Sequence, residues 1–217
     1  MDAAILDLDG TLVDTLGDFE AALGRMLQDL GRPPLSRAVI SHMVGKGSEH
    51  LVQSALAHCG LAASHADDAL ARYLRHYEEI NGRYVAVFAG VREGLQALQA
   101  QGLRLACLTN KPEGLARTLL RTLGLDGFFV CIYGGDSFIR KKPDPLPLLK
   151  TCEALGTTPQ RTLMVGDSAN DAQAARAAHC PVVLVSYGYN HGEPVRQVDA
   201  DAFVDSLEEV PALCRTV

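Results

Sequence analysis

The sequence predicts an α/β protein in which a parallel sheet carries helices on both faces and a small α-helical cap is inserted after the first strand. Three observations support this. Short apolar runs alternate with amphipathic stretches, the pattern of a parallel sheet wrapped by helices. One long segment interrupts the alternation and shows only helical spacing. The first apolar run ends in paired acids, where the carboxyl edge of such a sheet gathers its ligands.

The strands are expected at Ala3–Leu8, Leu103–Leu108, Phe128–Tyr133, Thr162–Val165 and Val182–Val185, with a short sixth at Ala202–Val204. They carry few polar residues, as strands buried on both faces should. Between them, Gly90–Ala100 places Val91, Leu95 and Leu98 on one helical face. The stretches Pro112–Leu123 and Pro143–Leu155 both open with proline, which suits a first helical turn. Asn170–Ala178 is alanine-rich. The alternation makes the core Rossmann-like. From about Leu16 to about Ala86 no strand is expected. Leu16, Phe19, Leu23, Met26, Leu27 and Leu30 form one helical stripe, and Ala66, Ala69, Leu70, Tyr73, Leu74 and Tyr77 form another. Both read as helix-on-helix core, with a turn at Gly31-Arg32-Pro33-Pro34. The expected domains are therefore a core of residues 1–15 and 87–217 and a cap of residues 16–86.

Composition narrows the function. The chain has 217 residues, 47% hydrophobic and 21% charged, with a net charge of -6. Disordered and low-complexity classes do not fit. An acidic chain lacks the basic footprint of a nucleic-acid binder and is repelled by anionic membranes. Phosphate is repelled as well, so phosphate chemistry here needs a local cation. No apolar run is long enough to span a membrane, and the N-terminus lacks the basic region of a signal peptide. The six cysteines are scattered without a C-x-x-C pair. They read as buried hydrophobes of a reducing, cytoplasmic compartment. The histidines show no zinc-ligand spacing.

Chemistry-bearing residues follow four apolar runs. The first leads into Asp7-Leu8-Asp9-Gly10-Thr11-Leu12-Val13-Asp14-Thr15. In an extended segment Asp7 and Asp9 point to one side, and Gly10 permits a sharp turn. The second ends in Thr109-Asn110-Lys111, offering a hydroxyl and an amide to an anion. After the third come Gly134-Gly135-Asp136 and the cations Arg140, Lys141 and Lys142 before a helix, where an anion is already favoured. The fourth ends in Gly166-Asp167-Ser168-Ala169-Asn170-Asp171, and one helical turn puts Asp167 and Asp171 on one face. Helix capping by Ser168 and the acids is the plainer use of these residues. If Asp7, Asp9, Asp167 and Asp171 converge, the cleft holds four acids that need a cation. An all-oxygen donor set suits Mg²⁺. With the metal and one lysine, the cleft tolerates a phosphate dianion, which points to metal-assisted phosphoryl transfer.

These motifs, in this order over nearly the whole chain, resemble the haloacid dehalogenase superfamily. The resemblance implies that Asp7 is the nucleophile and that Asp9 is the general acid and base, lending its backbone carbonyl to Mg²⁺. It further implies that Thr109, Asn110 and Lys142 bind phosphate and that Asp167 and Asp171 complete the metal site. Gly134-Gly135-Asp136, Lys141-Lys142-Pro143-Asp144-Pro145, Tyr187-Gly188-Tyr189-Asn190 and Gly45-Lys46-Gly47 resemble phosphoglycolate phosphatases more narrowly. On that likeness the substrate is a small-molecule phosphate ester, 2-phosphoglycolate, and Lys46 reaches its carboxylate from the cap. A solvated Gly-Lys-Gly turn remains the alternative for Lys46. Tyr187–Asn190 is left without a role. His179 departs from the glycine common in relatives at that helix end. The rival functions are a phosphatase for another small phosphate ester, a phosphosugar mutase with the same motifs, and a non-enzymatic phosphoacceptor module. A dinucleotide binder is disfavoured because no G-x-G-x-x-G follows the first strand. The chain is expected to be a monomer or homodimer.

Overall fold

β1 (Ala3–Leu6) is the centre of the structure, a computed structural model that describes residues 1–214. After it come β2 (Val13–Asp14) and four helices, α1 (Leu16–Asp29), α2 (Arg37–Ser41), α3 (Ser48–His58) and α4 (Ala66–Ile80). The chain returns through β3 (Ala86–Val87), α5 (Val91–Ala100), β4 (Arg104–Leu108), α6 (Glu113–Thr122), β5 (Cys131–Tyr133), α7 (Leu146–Leu155), β6 (Thr162–Gly166), α8 (Ala169–Ala178), β7 (Val182–Val185), β8 (Ala202–Val204) and α9 (Val210–Leu213).

The main sheet has the order β5-β4-β1-β6-β7-β8, and every neighbouring pair is parallel. Alternate residues of β1 feed opposite faces. Ala4 and Leu6 pack with Val91, Leu95 and Leu98 of α5 and with Leu119 and Leu120 of α6. Ala3 and Ile5 pack with Leu148, Cys152 and Leu155 of α7 and with Ala174, Ala175 and Ala178 of α8. The sheet is thus an α/β core covered on both faces, as its apolar strands predict. Leu6 lies beside Cys107 on one side and Val165 on the other. That register brings the ends of β1, β4 and β6 to one edge, and the residues that follow them share a single rim.

The four helices between β2 and β3 have their own core. Phe19, Leu23, Met26 and Leu27 of α1 meet Tyr73, Tyr77 and Ile80 of α4, all buried. β2 and β3 pair antiparallel, Val13 opposite Val87, and close the base of this helical cap. Asp18 is fully buried and accepts from the backbone N–H of Gly82 (2.6 Å) and Tyr84 (2.8 Å). One carboxylate therefore ties the outgoing helix to the returning chain.

Three boundaries differ by two residues or more from the sequence expectation. β1 stops at Leu6 because the Leu8 N–H turns back onto the Asp7 carboxylate at 2.7 Å. Residues 126–128 form a 3-10 turn, and β5 begins only at Cys131. This strand pairs with β4 alone, so nothing on its outer side extends it. The helix expected from Pro143 starts at Leu146, because the Asp144 side chain accepts from the Leu146 N–H at 2.9 Å and holds a turn.

α8 ends on His179 at φ 60°, a left-handed position. A Cβ there costs about 1–2 kcal/mol relative to the right-handed region, and glycine is the usual solution. His179→Gly is expected to raise unfolding free energy by about 1 kcal/mol, read from the denaturant midpoint at unchanged m-value.

Candidate active site

Asp7 is the first residue beyond β1, and its N–H still bonds to the Val165 carbonyl at 2.9 Å. The carboxylate is therefore fixed at the sheet rim, where it is buried. Lys142 arrives from the loop before α7 and is also buried. Its ammonium lies 3.0 Å from Asp7 Oδ1 and donates to Asp171 Oδ1 at 2.7 Å and to the Leu108 carbonyl at 2.9 Å. An ammonium has three donors, and these contacts use all of them.

Asp171 has a divided role. Oδ1 takes Lys142, while Oδ2 accepts from the Ser168 N–H at 3.2 Å and the Ser168 hydroxyl at 2.9 Å. The capping use anticipated for this segment and its place in the site are one arrangement. Asp167 accepts from the Tyr189 N–H at 2.5 Å and from the Thr11 hydroxyl at 3.4 Å. Gly10 sits at φ 85°, and a Cβ on it would lie 2.1 Å from Asp167 Oδ2. Glycine is needed there both for the turn and for the approach of the acid. A Cβ on Gly166 would likewise meet the Asp171 carboxyl at 2.3 Å.

Oxygens of Asp7, Asp167 and Asp171 lie within 4.8 Å of one another, and all three residues are buried. Burial pushes Asp7 up to about 7, with Asp171 and Asp9 raising it further and Lys142 opposing them. Asp167 is also pushed up, by burial first and then by Asp171 and Asp7. Burial alone would lower Lys142, but Asp171 and Asp7 outweigh it and push its pKa up. Three converging buried carboxylates, only partly neutralised by one lysine, fit a divalent cation, and an oxygen-only donor set suits a hard one.

The structure brings Asp7, Thr109, Asn110, Lys142, Asp167 and Asp171 to one rim. Asp9 stands beside them, but its carboxylate turns away from the three-acid cluster to Lys111, whose ammonium is 2.8 Å from Oδ1. Thr109 is buried, and its hydroxyl accepts from the Lys111 N–H at 3.2 Å. The Asn110 side chain donates to the carbonyls of Lys142 (2.9 Å) and Gly45 (3.0 Å), and Asn170 also donates to Gly45 at 3.0 Å. The Gly45-Lys46-Gly47 turn is thereby seated on the core. Lys46 itself is exposed and faces a neighbouring groove with Glu49 and His50. Lys141 adds a further cap contact through Glu49 at 2.7 Å.

Several site residues were not anticipated. Lys111 bonds Asp9 and Tyr77, and its ammonium lies 4.7 Å from the Tyr77 ring centroid and 4.9 Å from that of Phe19. Its position next to Thr109-Asn110 was the available signal. Tyr73 and Tyr77 were read only as core, because one helical stripe can serve both purposes. Tyr187 donates to the Thr11 carbonyl at 2.9 Å, Tyr189 bonds Asp14, and Asn190 accepts from the Ala169 N–H at 2.9 Å. The Tyr187–Asn190 segment therefore backs the acid cluster. Gly134 and Gly135 lie flat against the turn from Asn110 to Glu113, and Asp136 accepts from the Glu113 N–H at 2.7 Å. They support the loop that carries Thr109 and Lys111.

An acid-rich strand rim under a helical cap, on a parallel six-stranded sheet, defines a capped α/β enzyme core. Residues 4–185 match the family described as haloacid dehalogenase-like hydrolase, and the chain belongs to that family. It is 47% identical over 212 residues to a phosphoglycolate phosphatase of Thiobacillus denitrificans, covering 95% of this chain and 92% of the relative. It is also 47% identical over 212 residues to a plasmid phosphoglycolate phosphatase of Cupriavidus necator, covering 97% and 92%. The solved structure of a predicted phosphoglycolate phosphatase from Haemophilus somnus superposes with a TM-score of 0.93 at 32% identity, over 98% of this chain and 97% of that one.

The acids also set a pH dependence. Asp7 holds its proton in the folded state up to about 7, whereas its ordinary value is 3.8. Between those values the folded state binds more protons than the unfolded one, so stability falls as pH rises. Thermal melts in chelator are expected to show that fall between about pH 4 and 7, and Asp7→Asn is expected to flatten it. At pH 8 a divalent cation at 100 times its Kd is expected to restore about 2.7 kcal/mol.

Proposed function

We propose that this chain is a Mg²⁺-dependent phosphatase that hydrolyses 2-phosphoglycolate through an aspartyl phosphate. The observation that carries this reading is the placement of Asp7. It is held by Lys142 at 3.0 Å and shares a cavity of about 30 Å³ with Asp9 and Thr109. Asp7 Oδ attacks phosphorus in line as the ester P–O bond breaks, and Asp9 gives its proton to the departing alkoxide oxygen. Asp9 then takes a proton from water, whose oxygen attacks phosphorus and releases the Asp7 carboxylate and orthophosphate. Thr109 and the backbone around Asn110 hold the phosphoryl oxygens while charge redistributes, and the Lys142 ammonium, fixed beside Asp7, stabilises them by its charge. Asp7, Asp167, Asp171 and the Asp9 carbonyl would hold Mg²⁺, which neutralises the phosphoryl oxygens when bound. The cap, seated through Asn110, Asn170 and Lys141, excludes bulk water from the first step.

One observation supports the choice of substrate. Relatives at 47% identity over most of the chain carry that name. The six cysteines are all free thiols, in keeping with a cytoplasmic setting. Among the described residues no helix is long and apolar enough to cross a membrane.

A phosphate-release screen over small phosphomonoesters, with and without Mg²⁺, tests the reading. 2-Phosphoglycolate is expected to lead, and preference for a nucleotide or isomerisation of a sugar phosphate would replace it. Asp7→Asn is expected to abolish turnover with the melt preserved. Asp9→Asn is expected to slow it by about 10²–10⁴. A change in metal affinity alone would remove Asp9 from proton transfer.

A further inference from the structure

2-Phosphoglycolate presents two anions. The reading above gives the phosphoryl group to Lys142, Thr109 and the metal. The carboxylate, one carbon from the ester oxygen, also has to enter a site rich in acids, and a desolvated anion needs its own cation and donors. The exposed Lys46 faces a different groove from the cavity that Asp7 and Asp9 line.

A second buried lysine faces that cavity. The Lys111 side chain is 1% exposed and lines the same space as Asp7, Asp9 and Thr109. Asp9 and Tyr77 account for two of its three donors. Tyr77 accepts from Lys111, so its own O–H is still a donor. Tyr73 lies one helical turn earlier on the same face of α4, with the two ring centroids 5.4 Å apart. Tyr73 is fully buried and lines the cavity, and among the described residues its hydroxyl has no hydrogen-bond partner. A buried, unpaired hydroxyl is rare enough in a folded protein to need a cause. A ligand oxygen in the cavity supplies one. The flanking walls, Phe19, Val44 and Leu51, are apolar and exclude water from the ion pair.

We infer that Lys111, with Tyr73 and Tyr77 above it, forms the subsite for a carboxylate on the leaving group, so that specificity for an anionic two-carbon ester resides here and not at Lys46. This rests on the phosphatase reading. Lys111 then does two things from one position. It holds Asp9 at the reacting bond, and it offers positive charge to the far end of the substrate.

The test compares 2-phosphoglycolate with ethyl phosphate, whose leaving group has two carbons and no charge, in wild type, Lys111→Met, Tyr73→Phe and Lys46→Ala. The kcat/KM ratio of the two esters is expected to fall roughly 10- to 100-fold in Lys111→Met and several-fold in Tyr73→Phe, as expected for losing a charged and a neutral hydrogen bond. In Lys111→Met kcat is expected to fall alike on both esters as Asp9 is released, while the fall in the ratio comes from KM for 2-phosphoglycolate, with a matching rise in the inhibition constant of glycolate; the ratio is expected to hold in Lys46→Ala. Tyr73→Phe removes an unpaired hydroxyl and is expected to melt no lower than wild type, so it decides the matter even if Lys111→Met folds poorly. Equal losses on both esters would make Lys111 a positioning residue for Asp9 alone and overturn the inference. So would a ratio that moves only with Lys46→Ala. Wild type releasing phosphate from neither ester would overturn the phosphatase reading itself.

Discussion

The structure depends on a buried ammonium shared by two acids. Lys142 touches Asp7, Asp171 and the Leu108 carbonyl, and so joins the ends of β1 and β4 to the first turn of α8. Removing one member of such a buried pair typically costs about 3–5 kcal/mol, because the other charge is left unpaired in a poor solvent. The acids need the lysine to be tolerated at all, and the lysine needs the acids to stay charged. This mutual requirement fixes Asp7 to one orientation before any ligand arrives.

Around that bridge the fold leaves one deficit of positive charge. Asp7 and Asp167 are both pushed up by burial and by neighbouring carboxylates, so the acids oppose one another's ionisation where they converge. Backbone closeness maintains this convergence. Gly10 and Gly166 have no Cβ where Asp167 and Asp171 lie, and the Tyr189 N–H holds Asp167 from behind. The proposed metal site therefore owes as much to missing side chains and to a loop beyond β7 as to the acids themselves.

The cap contributes on the opposite side. Its turn at Gly45 is gripped by Asn110 and Asn170, and its helix α4 presents Tyr77 to Lys111. The lysine is a core residue whose ammonium lies against cap rings. Seating the cap and placing a positive charge beside Asp9 are thus the same packing event. This makes the cavity small and couples its shape to its electrostatics.

The sequence by itself determined the parallel sheet, the helical insertion and the acids that follow β1 and β6. Those features are local: apolar runs buried on both faces, helical stripes, and Asp7-x-Asp9 at a strand end. Lys142 was legible because it lies beside a proline-rich helix start in a familiar order of motifs. Only the tertiary structure decided which lysine faces the cavity. Lys46 and Lys111 are both cations next to turn residues, and one chain read linearly cannot say which of them points inward. That choice is made when α1 and α4 pack over the β4 loop, because burial of an ammonium depends on neighbours far away in sequence. The same reason hid Tyr73, Tyr77 and Tyr189. An aromatic at helical or loop spacing shows that it is buried, while the partner of its hydroxyl is fixed only by the fold.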